Sequence, residues 1–557
     1  MLTRRYRAIL SVLLPLLVVC LALIAGRIPS ASAQGPRVLG PFVGPSVKAA
    51  SFDGDVRTLP RVNRAATYTP RLRARLHPPA LEPTIRQNLN PAPIPNAVST
   101  MPSPLSSFKG ISQTAFPLNF WPPDPVGDVG SNHYIQGVNS AFAIYTKTGE
   151  LLASIDMASF FTGTSSFCDI NPRGDPVVLY DALADRWVLS FLAFYNPLVG
   201  DPFYECIAVS KTSDPVTGGW WFYALLAHPS YLNDYPKLSV WRDAYYMTAN
   251  LVDLVNGSAF KGVRVWALDR ASMLSGTLNS VYFDIPWDGQ CCYSLLPSHM
   301  HGTPPLTGTP NFLMAAQAIT PSTAVGNHLL LWKFYVNWTT PASSTLSSPI
   351  SITVNSFREL SGLIVPQLGS GETPDIGDSK LMMQLQYRRL YDLESLWAVH
   401  MISGTRASAI RWYEVRNPNA APILHQQGTF EPDSVYRWMP SLAADKRGNM
   451  AIGYSVSSSS MYPAIRYAGR TIDDPLGVLA QGETSLIEGS GSQSGGFYKW
   501  GDYSAMSVDP VDGCTFWYTN MYYETTGNNW QTRIGTFKFP WCEGRRYYIP
   551  TIFVPPP

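Results

Sequence analysis

Charged residues are scarce in this chain: they make up 14% of 557 residues, with Lys+Arg 41 against Asp+Glu 39. About 25% is usual. A coiled coil or helical bundle needs far more Glu, Lys and Ala, and a nucleic-acid-binding domain normally has a basic excess, so neither class fits. The 45% hydrophobic content excludes disorder throughout the chain. After the N-terminal segment, no apolar run is long enough to span a membrane.

Aromatic residues, glycine and proline are abundant instead, with aromatics at 12%, Gly 42 and Pro 48. From Trp121 onward, short apolar and aromatic runs alternate with turns rich in Gly, Asp, Asn and Pro. No long segment with a 3.6-residue period is present, so the pattern predicts an all-β protein with many hairpins.

The N-terminus has the pattern of a secretory signal peptide over residues 1–33. Arg4, Arg5 and Arg7 precede an apolar run, and Ala31-Ser32-Ala33 matches a cleavage signal. The alternative is an uncleaved membrane anchor. Cleavage would make the protein secreted or bound to the cell surface.

Six cysteines follow this segment, and an even number in an exported chain predicts disulfides. Cys168 and Cys206 flank one strand-like run and are expected to pair. Cys514 and Cys542 bracket a hairpin and are expected to pair as well. The adjacent Cys291 and Cys292 could form a vicinal disulfide, bind a metal or stay reduced, and a rigid structural turn is favoured.

Composition divides the remaining chain into three parts. Residues 34–116 are rich in Pro, Arg, Ser and Ala without a sustained period, which predicts an irregular linker or pro-region. Residues 117–543 form the β domain. Residues 544–557, ending in YYIPTIFVPPP, are either a sorting signal or a frayed C-terminal tail.

The β domain contains seven segments that begin alike, each with a short polar stretch, here called an opener, before an apolar strand. The openers begin at Asp124, Gly174, Asp234, Ser294, Pro374, Trp438 and Trp500. Their spacing of roughly 50 to 80 residues is close to that of four-stranded propeller blades. The sequence therefore predicts a β-propeller of about seven four-stranded blades, six or eight being compatible, with a β-helix as the competing architecture.

Several of these runs resemble a group of secreted bacterial proteins with predicted β-propeller folds and mostly without assigned activity. The runs are PPDPVGDVGSNHYIQ, GDPVVLYDALADRW, YPKLSVWRDAYY, MPSLAADKRGNMAIGYS and WGDYSAMSVDPVDGCTFWYTN, and the resemblance covers residues 122–542. The turns are more loosely similar to the Asp-box (BNR) repeats of sialidase-like propellers, although the glycine after Asp445 is displaced. Asp-boxes are structural turns, so they imply a fold rather than a reaction.

In a propeller, the openers would meet at the central channel and could form a ligand site. The candidate ligand-binding residues are Asp175, Asp234, Lys237, His299, His301, Arg437 and Asp502. The structural alternative is that each side chain caps a strand of the adjacent blade. The first hypothesis is thus an extracellular binding protein, with a carbohydrate or a surface protein as its partner.

The alternative function is a glycoside hydrolase or lyase of sialidase-like fold. That chemistry needs an arginine cluster and a tyrosine nucleophile paired with a carboxylate, and Arg437, Tyr503 and Asp502 are the weak catalytic candidates. The Arg-Ile-Pro motif of sialidases occurs only at Arg27, within the targeting segment, which counts against a sialidase.

Structural calcium is a third hypothesis. Asp124 and Asp128, and likewise Asp375 and Asp378, place two carboxylates on a short glycine-containing turn. Oxygen ligands of this kind suit calcium. The alternative is that these aspartates only form Asx turns.

Overall fold

The computed structural model describes residues 37–59, 100–115, 121–139, 141–170, 172–289, 292–320, 325–360, 365–496 and 498–543. These residues form an all-β structure. The helices among them are single turns: α1 (Met157–Phe160), α2 (Phe167–Ile170), α3 (Arg270–Met273) and the 3-10 turns Val56–Thr58, Gln113–Ala115 and Pro341–Ser343. Within this part of the chain, no helix has the length and apolarity needed to cross a membrane.

The strands before the first opener are β1 (Leu39–Val43), β2 (Val47–Lys48), β3 (Ala50–Phe52) and β4 (Ser106–Lys109). The later strands fall into seven antiparallel groups, called units 1 to 7. Unit 1 has β5 (Val126–Val129), β6 (His133–Val138), β7 (Ala141–Thr146) and β8 (Leu151–Asp156). Unit 2 has β9 (Pro172–Asp181), β10 (Arg186–Ala193), β11 (Phe203–Ser210) and β12 (Trp220–His228). Unit 3 has β13 (Leu232–Val240), β14 (Ala244–Asp253), β15 (Ala259–Asp269), β16 (Thr277–Leu278) and β17 (Ser280–Pro286).

Unit 4 has β18 (Leu296–His301), β19 (Asn311–Thr320), β20 (Val325–Tyr335), β21 (Thr345–Leu346) and β22 (Ile350–Arg358). Unit 5 has β23 (Met382–Leu390), β24 (Leu393–Ser403), β25 (Ser408–Arg416) and β26 (Ile423–Phe430). Unit 6 has β27 (Tyr436–Ala444), β28 (Met450–Ser458), β29 (Met461–Arg470) and β30 (Glu483–Ile487). Unit 7 has β31 (Ala505–Val508), β32 (Phe516–Tyr522) and β33 (Gln531–Phe537). Parallel pairing of β18 with β23 joins units 4 and 5 into one sheet.

The first strand of each unit lies beside the first strand of the next, in the order β5, β9, β13, β18, β23, β27 and β31, and β31 lies beside β5. Residues of five of these strands line one small cavity of about 10 Å³, among them Asp128, Val178, Gln384, Ser441 and Ser507. A volume of this size holds about one water molecule. The first strands therefore pack closely around a common axis.

Aromatic side chains fill the space between units. Trp187, Trp241, Trp397 and Trp517 are all buried. Trp517 of unit 7 stacks on Tyr134 of unit 1, with ring centroids 4.9 Å apart. This contact packs the last unit against the first, and burial of such large rings provides much of the stabilisation in an interface of this kind.

The described residues between 34 and 116 include four short strands, and each pairs with a strand of a later unit. β1 pairs with β17, β2 with β16, β3 with β12, and β4 with β33 as the fourth strand of unit 7. Phe108 of β4 lies 5.5 Å from Tyr145 and 6.5 Å from Trp517 between ring centroids, so it contacts units 1 and 7. The outer strands of the units present unpaired N–H and C=O groups, and these short strands satisfy them.

Among the described residues, the disulfides Cys168–Cys206 and Cys514–Cys542 are present, as the sequence predicted. The expectation for Cys291 and Cys292 stays a prediction, because Cys291 lies outside the described residues. The signal peptide, residues 60–99 of the Pro-rich segment and the tail after residue 543 also lie outside them.

Candidate functional site

Every opener contains a residue with a left-handed backbone, before or within the first strand of its unit. These residues are Asp124, Asp175, Tyr235, Ser294, Gly377, Met439 and Gly501, with φ of 45°, 54°, 54°, 53°, 77°, 50° and 134°. A residue other than glycine rarely adopts this conformation, which costs about 1–3 kcal/mol where it occurs. Because the first strands adjoin one another, the repeated turn brings the openers to one end of the axis.

A group of polar side chains meets at this end, and we call it the central cluster. Its carboxylates are Asp124, Asp175, Asp234, Asp378 and Asp502, its lysines are Lys237, Lys380 and Lys499, and its remaining members are Tyr235, Tyr293, Tyr503 and Asn139. Hydrogen bonds, ion pairs or charge interactions connect each of them to other members.

Asp502 forms the ionic centre of the cluster. Its two oxygens lie 2.9 Å from Lys380 Nζ and 2.9 Å from Lys499 Nζ. Lys380 Nζ is also 3.3 Å from Asp378 Oδ1. Burial alone would raise the pKa of Asp502, but the two lysines lower it below the usual range for aspartate. Asp502 is therefore an ionised carboxylate that both lysines already neutralise.

Hydrogen bonds through Asn139 connect the openers of units 1, 2 and 7. Asp124 Oδ1 accepts the Asp502 N–H at 2.7 Å, and Asp124 Oδ2 accepts from Asn139 Nδ2 at 2.7 Å. Asn139 Oδ1 in turn accepts the Asp175 N–H at 2.9 Å. Burial, and then the charges of Asp502 and Asp175, raise the pKa of Asp124 to about 7. A proton on this carboxyl relieves repulsion among the three acids.

Two tyrosines enclose a buried lysine beside Asp175. Lys237 Nζ lies 3.3 Å from the ring centroid of Tyr235 and 3.6 Å from that of Tyr503. The Tyr503 hydroxyl donates to Asp175 Oδ2 at 3.1 Å, and the Tyr235 N–H donates to the same oxygen at 3.2 Å. Burial lowers the pKa of Lys237 well below that of an ordinary lysine. The aromatic faces hold the lysine in place without an ion pair.

Asp234 and the Tyr235 hydroxyl are the cluster groups left without a hydrogen-bonding partner. Asp234 is partly exposed, and within the described part of the chain its carboxylate makes no hydrogen bond and no ion pair. Burial, followed by the charges of Asp175 and Asp502, raises its pKa to about 7. The Tyr235 hydroxyl has no partner among the described residues, although Tyr235 is only 5% exposed. Asp234 is therefore accessible, and the Tyr235 hydroxyl is a buried group without a partner among these residues.

The two candidate histidines lie outside the cluster. His299 Nδ1 accepts the Val240 N–H at 3.0 Å, and His301 Nε2 lies 3.1 Å from Gln384 Oε1. Burial lowers the pKa of His299 to about 3, so this ring is neutral. His301 is the last residue of β18, whereas the opener of unit 4 begins before the first residue of that strand, so the two lie at opposite ends of it. Both rings therefore contribute to packing around the first strands.

Arg437 also lies outside the cluster, contrary to the sequence prediction. Its guanidinium is buried and pairs with Asp433 at 2.7 Å and with Glu483 at 2.8 Å. These acids belong to unit 6 and the loop before it, so the charge of Arg437 is satisfied there. Of the three weak catalytic candidates, the structure brings only Asp502 and Tyr503 into the cluster.

The aspartates proposed for calcium lie at separate places in the structure. No group of three or more His, Cys, Asp or Glu side chains within the described ranges could hold a metal ion. Asp128 lies at the small axial cavity and accepts the N–H groups of Val129 and Tyr180, both at 2.8 Å. Asp375 is exposed and accepts the Gly377 N–H at 2.9 Å. An Asx turn accounts for Asp375, whereas Asp128 accepts one of its hydrogen bonds from a strand of the next unit.

Sequence reasoning did not identify Tyr235, Lys380, Lys499, Tyr293 and Asn139. Local signals existed for three of them. Tyr235 lies between Asp234 and Lys237, Lys380 follows Asp378 by two residues, and Lys499 precedes Asp502 by three. Asn139 follows β6, far from its own opener in sequence, and nothing local distinguishes it from an ordinary turn residue.

No family model and no curated protein sequence matches this chain. Among solved structures, it is similar to a protein of unknown function from Dyadobacter fermentans (11% identity over 65% of this chain and 94% of that one, TM-score 0.32). It is also similar to the Hadza microbial sialidase Hz136 (10% identity, 75% and 65% coverage, TM-score 0.33). A third similar structure is the Trypanosoma rangeli sialidase in complex with the inhibitor DANA (8% identity, 71% and 57% coverage, TM-score 0.33). The chain spans less than two thirds of each sialidase, and similarity at this level assigns neither a family nor an activity.

Proposed function

We propose that units 1 to 7 are the blades of a seven-bladed β-propeller that β4 closes. The order of the first strands around one axis, with β31 beside β5, supports this arrangement. Pairing of β4 with β33 gives unit 7 its fourth strand. Such a propeller brings residues far apart in sequence to one end of its axis, where a ligand site can form.

The proposed function is binding of an extracellular carbohydrate at the central cluster. The observation that carries it is the convergence of carboxylates, lysines and tyrosines from six units, with Asp234 and the Tyr235 hydroxyl unpaired. Sugar hydroxyls both donate and accept hydrogen bonds, so a cluster of fixed polar groups suits them. Tyrosine rings present apolar surface to sugar C–H groups in the same site.

A glycan array with the purified chain tests this function. We expect wild-type protein to retain a restricted set of glycans and Asp175→Asn to lose them, because Asp175 accepts hydrogen bonds from both Tyr503 and Tyr235. The matched control is Asp392→Asn, an aspartate whose side chain is fully exposed on another hairpin. Absence of glycan binding, or equal binding by Asp175→Asn, would overturn the proposal.

We further propose that the protein is exported. Its two buried disulfides suit an oxidising compartment. Expression of the complete chain in a secreting host, followed by N-terminal sequencing of protein in the medium, tests this. A start at Gln34 is expected, and an intact Met1 in the membrane fraction would contradict it.

A glycoside hydrolase is the second candidate function, and one observation favours it. The pKa of Asp234 is raised to about 7, whereas Asp502 stays ionised at low pH. Carboxyl groups with separated pKa values can serve as acid and base in glycoside hydrolysis. The cluster contains no arginine, so a sialidase reaction is not supported. Hydrolysis of chromogenic glycosides, abolished by Asp234→Asn, would establish this function in place of simple binding.

A further inference from the structure

The ionic partners within the central cluster are unevenly distributed. Lys380 and Lys499 are committed to Asp502 and Asp378. Lys237 is enclosed by two tyrosine rings, and its ammonium donates a hydrogen bond to the Pro236 carbonyl at 3.0 Å. All three lysines of the cluster therefore already contact other groups of the protein.

Three carboxylates of the cluster have no cationic partner. Within the described residues, no lysine or arginine nitrogen forms an ion pair with Asp124, Asp175 or Asp234. Asp124 uses both oxygens for hydrogen bonds with Asp502 and Asn139, and Asp175 accepts two hydrogen bonds at one oxygen. Asp234 has no such bonds and is partly exposed. Asp234 is thus the accessible carboxyl group of the cluster that lacks a cationic partner among the described residues.

The Tyr235 hydroxyl is a second, independent sign of a missing ligand. Tyr235 is 95% buried (5% exposed), yet its hydroxyl has no hydrogen-bonding partner among the described residues. Its ring lies between the ammonium groups of Lys237 and Lys380, with centroid distances of 3.3 and 4.8 Å. Asp502 and Asp378 act on its hydroxyl electrostatically, so the hydroxyl lies inside the cluster. A buried hydroxyl left unpaired is costly, and a bound polar group would satisfy it.

We propose that the central cluster binds an amino sugar through its free, positively charged amino group, with Asp234 as the carboxylate that pairs with it. This inference rests on the proposed carbohydrate function and specifies its ligand. The ammonium would supply the cation that Asp234 lacks, and ring hydroxyls would supply partners for Tyr235 and the free oxygen of Asp175. A charge-assisted hydrogen bond of this kind is stronger than the neutral bonds available to an ordinary sugar.

The experiment compares three tetrasaccharides of equal length by isothermal titration calorimetry at pH 7 and low salt: the β-1,4-linked glucosamine tetramer, its fully N-acetylated form and the glucose tetramer. We expect the glucosamine tetramer to bind at least tenfold more tightly than the other two. Asp234→Asn should remove most of that preference while leaving weak binding of the N-acetylated form, because the variant removes charge and keeps size. Tyr235→Phe should weaken binding of the glucosamine and N-acetylated forms alike, and Asp392→Asn should change nothing.

Each outcome separates the inference from the proposed function. Equal affinity for the three tetramers, or a preference for the N-acetylated or glucose form, overturns the amino-sugar assignment and leaves carbohydrate binding standing. A preference for the glucosamine tetramer that survives in Asp234→Asn overturns the role of Asp234. Binding of none of the three tetramers overturns both proposals. Unfolding temperatures of all variants show whether a loss of binding reflects a loss of folded protein.

Discussion

The ion pair between Lys380 and Asp502 is buried enough for its contribution to stability to be measured. Lys380 Nζ lies 2.9 Å from Asp502 Oδ1, and the side chains are 3% and 22% exposed. At an effective dielectric constant of about 20, two unit charges at this distance attract by about 6 kcal/mol. Desolvation cancels much of that attraction, and removing one partner of a buried pair typically costs about 3–5 kcal/mol.

We expect Lys380→Met to lower the free energy of unfolding by about 3 kcal/mol, at the low end of this range because Asp502 is partly exposed and keeps Lys499. The single change leaves Asp378 and Asp502 with one fewer cation between them. In the double variant Lys380→Met/Asp502→Asn, most of that repulsion is absent. A double-mutant cycle should therefore give a coupling energy of about 2 kcal/mol.

The assay is urea denaturation of the four proteins of the cycle, followed by tryptophan fluorescence. The chain provides a matched control in Arg389 and Asp392, which lie 3.7 Å apart with the Asp392 side chain 103% exposed. An exposed pair of this kind should couple by less than about 0.5 kcal/mol. If the coupling energy between Lys380 and Asp502 is as small as in this control, the inference that this buried ion pair stabilises the cluster is wrong.

Three further predictions concern the pH dependence of stability, the packing of β4 against units 1 and 7, and the Cys514–Cys542 disulfide. Burial raises the pKa of Asp128 to about 7, above its unfolded value of 3.8, so the folded state binds the proton more tightly. The contribution of Asp128 to stability is then fully present below pH 4 and falls by up to about 4 kcal/mol as pH rises to 7. Urea denaturation at a series of pH values should show that Asp128→Asn lacks this part of the pH dependence. Phe108→Ala should cost about 2 kcal/mol by urea denaturation because it loosens units 1 and 7, whereas the exposed Leu105→Ala should change stability by less than about 0.5 kcal/mol. Replacing Cys514 and Cys542 by serine should cost about 3–4 kcal/mol, measured the same way, and an unchanged midpoint would mean that the bond contributes nothing.

The sequence was sufficient to locate the repeated openers, and the structure places Asp175, Asp234, Lys237 and Asp502 together at one end of the first strands. Lys380 has a local signal in its spacing from Asp378, but its pairing with Asp502, which lies 122 positions later in the chain, could not be predicted. Pairing at that separation leaves no local pattern. A sequence can thus indicate which strand end carries polar groups, but not which distant charge reaches it.

Arg437 is the opposite case, because the sequence placed it at the central site and the structure places it elsewhere. Its place on the first strand of unit 6 resembles that of Lys237 on the first strand of unit 3, so the sequence favoured both as ligands of the central site. A buried guanidinium must pair with whatever carboxylates are near, and Asp433 and Glu483 lie within 3 Å of it. These two acids neutralise the charge of Arg437, and the position of Arg437 on its strand alone could not show this.

The N-terminal strands were missed for a different physical reason. β1 reads LGPFV, and its glycine and proline argue against a strand. Its pairing comes from the free edge of β17 rather than from its own pattern. Strand propensity depends on the neighbouring strand far more than helix propensity depends on context, so such edge strands are poorly visible in sequence.

Tyr235 combines an unfavourable backbone with an unsatisfied hydroxyl. The corresponding openers of units 5 and 7 have Gly377 and Gly501 in the left-handed position, where glycine adopts it without steric cost. Tyr235 adopts φ of 54° before a proline, a place that further disfavours that conformation. Backbone strain of about 1–3 kcal/mol persists only where the surrounding structure enforces it, and it concentrates at functional sites. Since glycine is compatible with this turn, the tyrosine contributes through its side chain, which places a ring over Lys237 and a buried hydroxyl without a partner among the described residues.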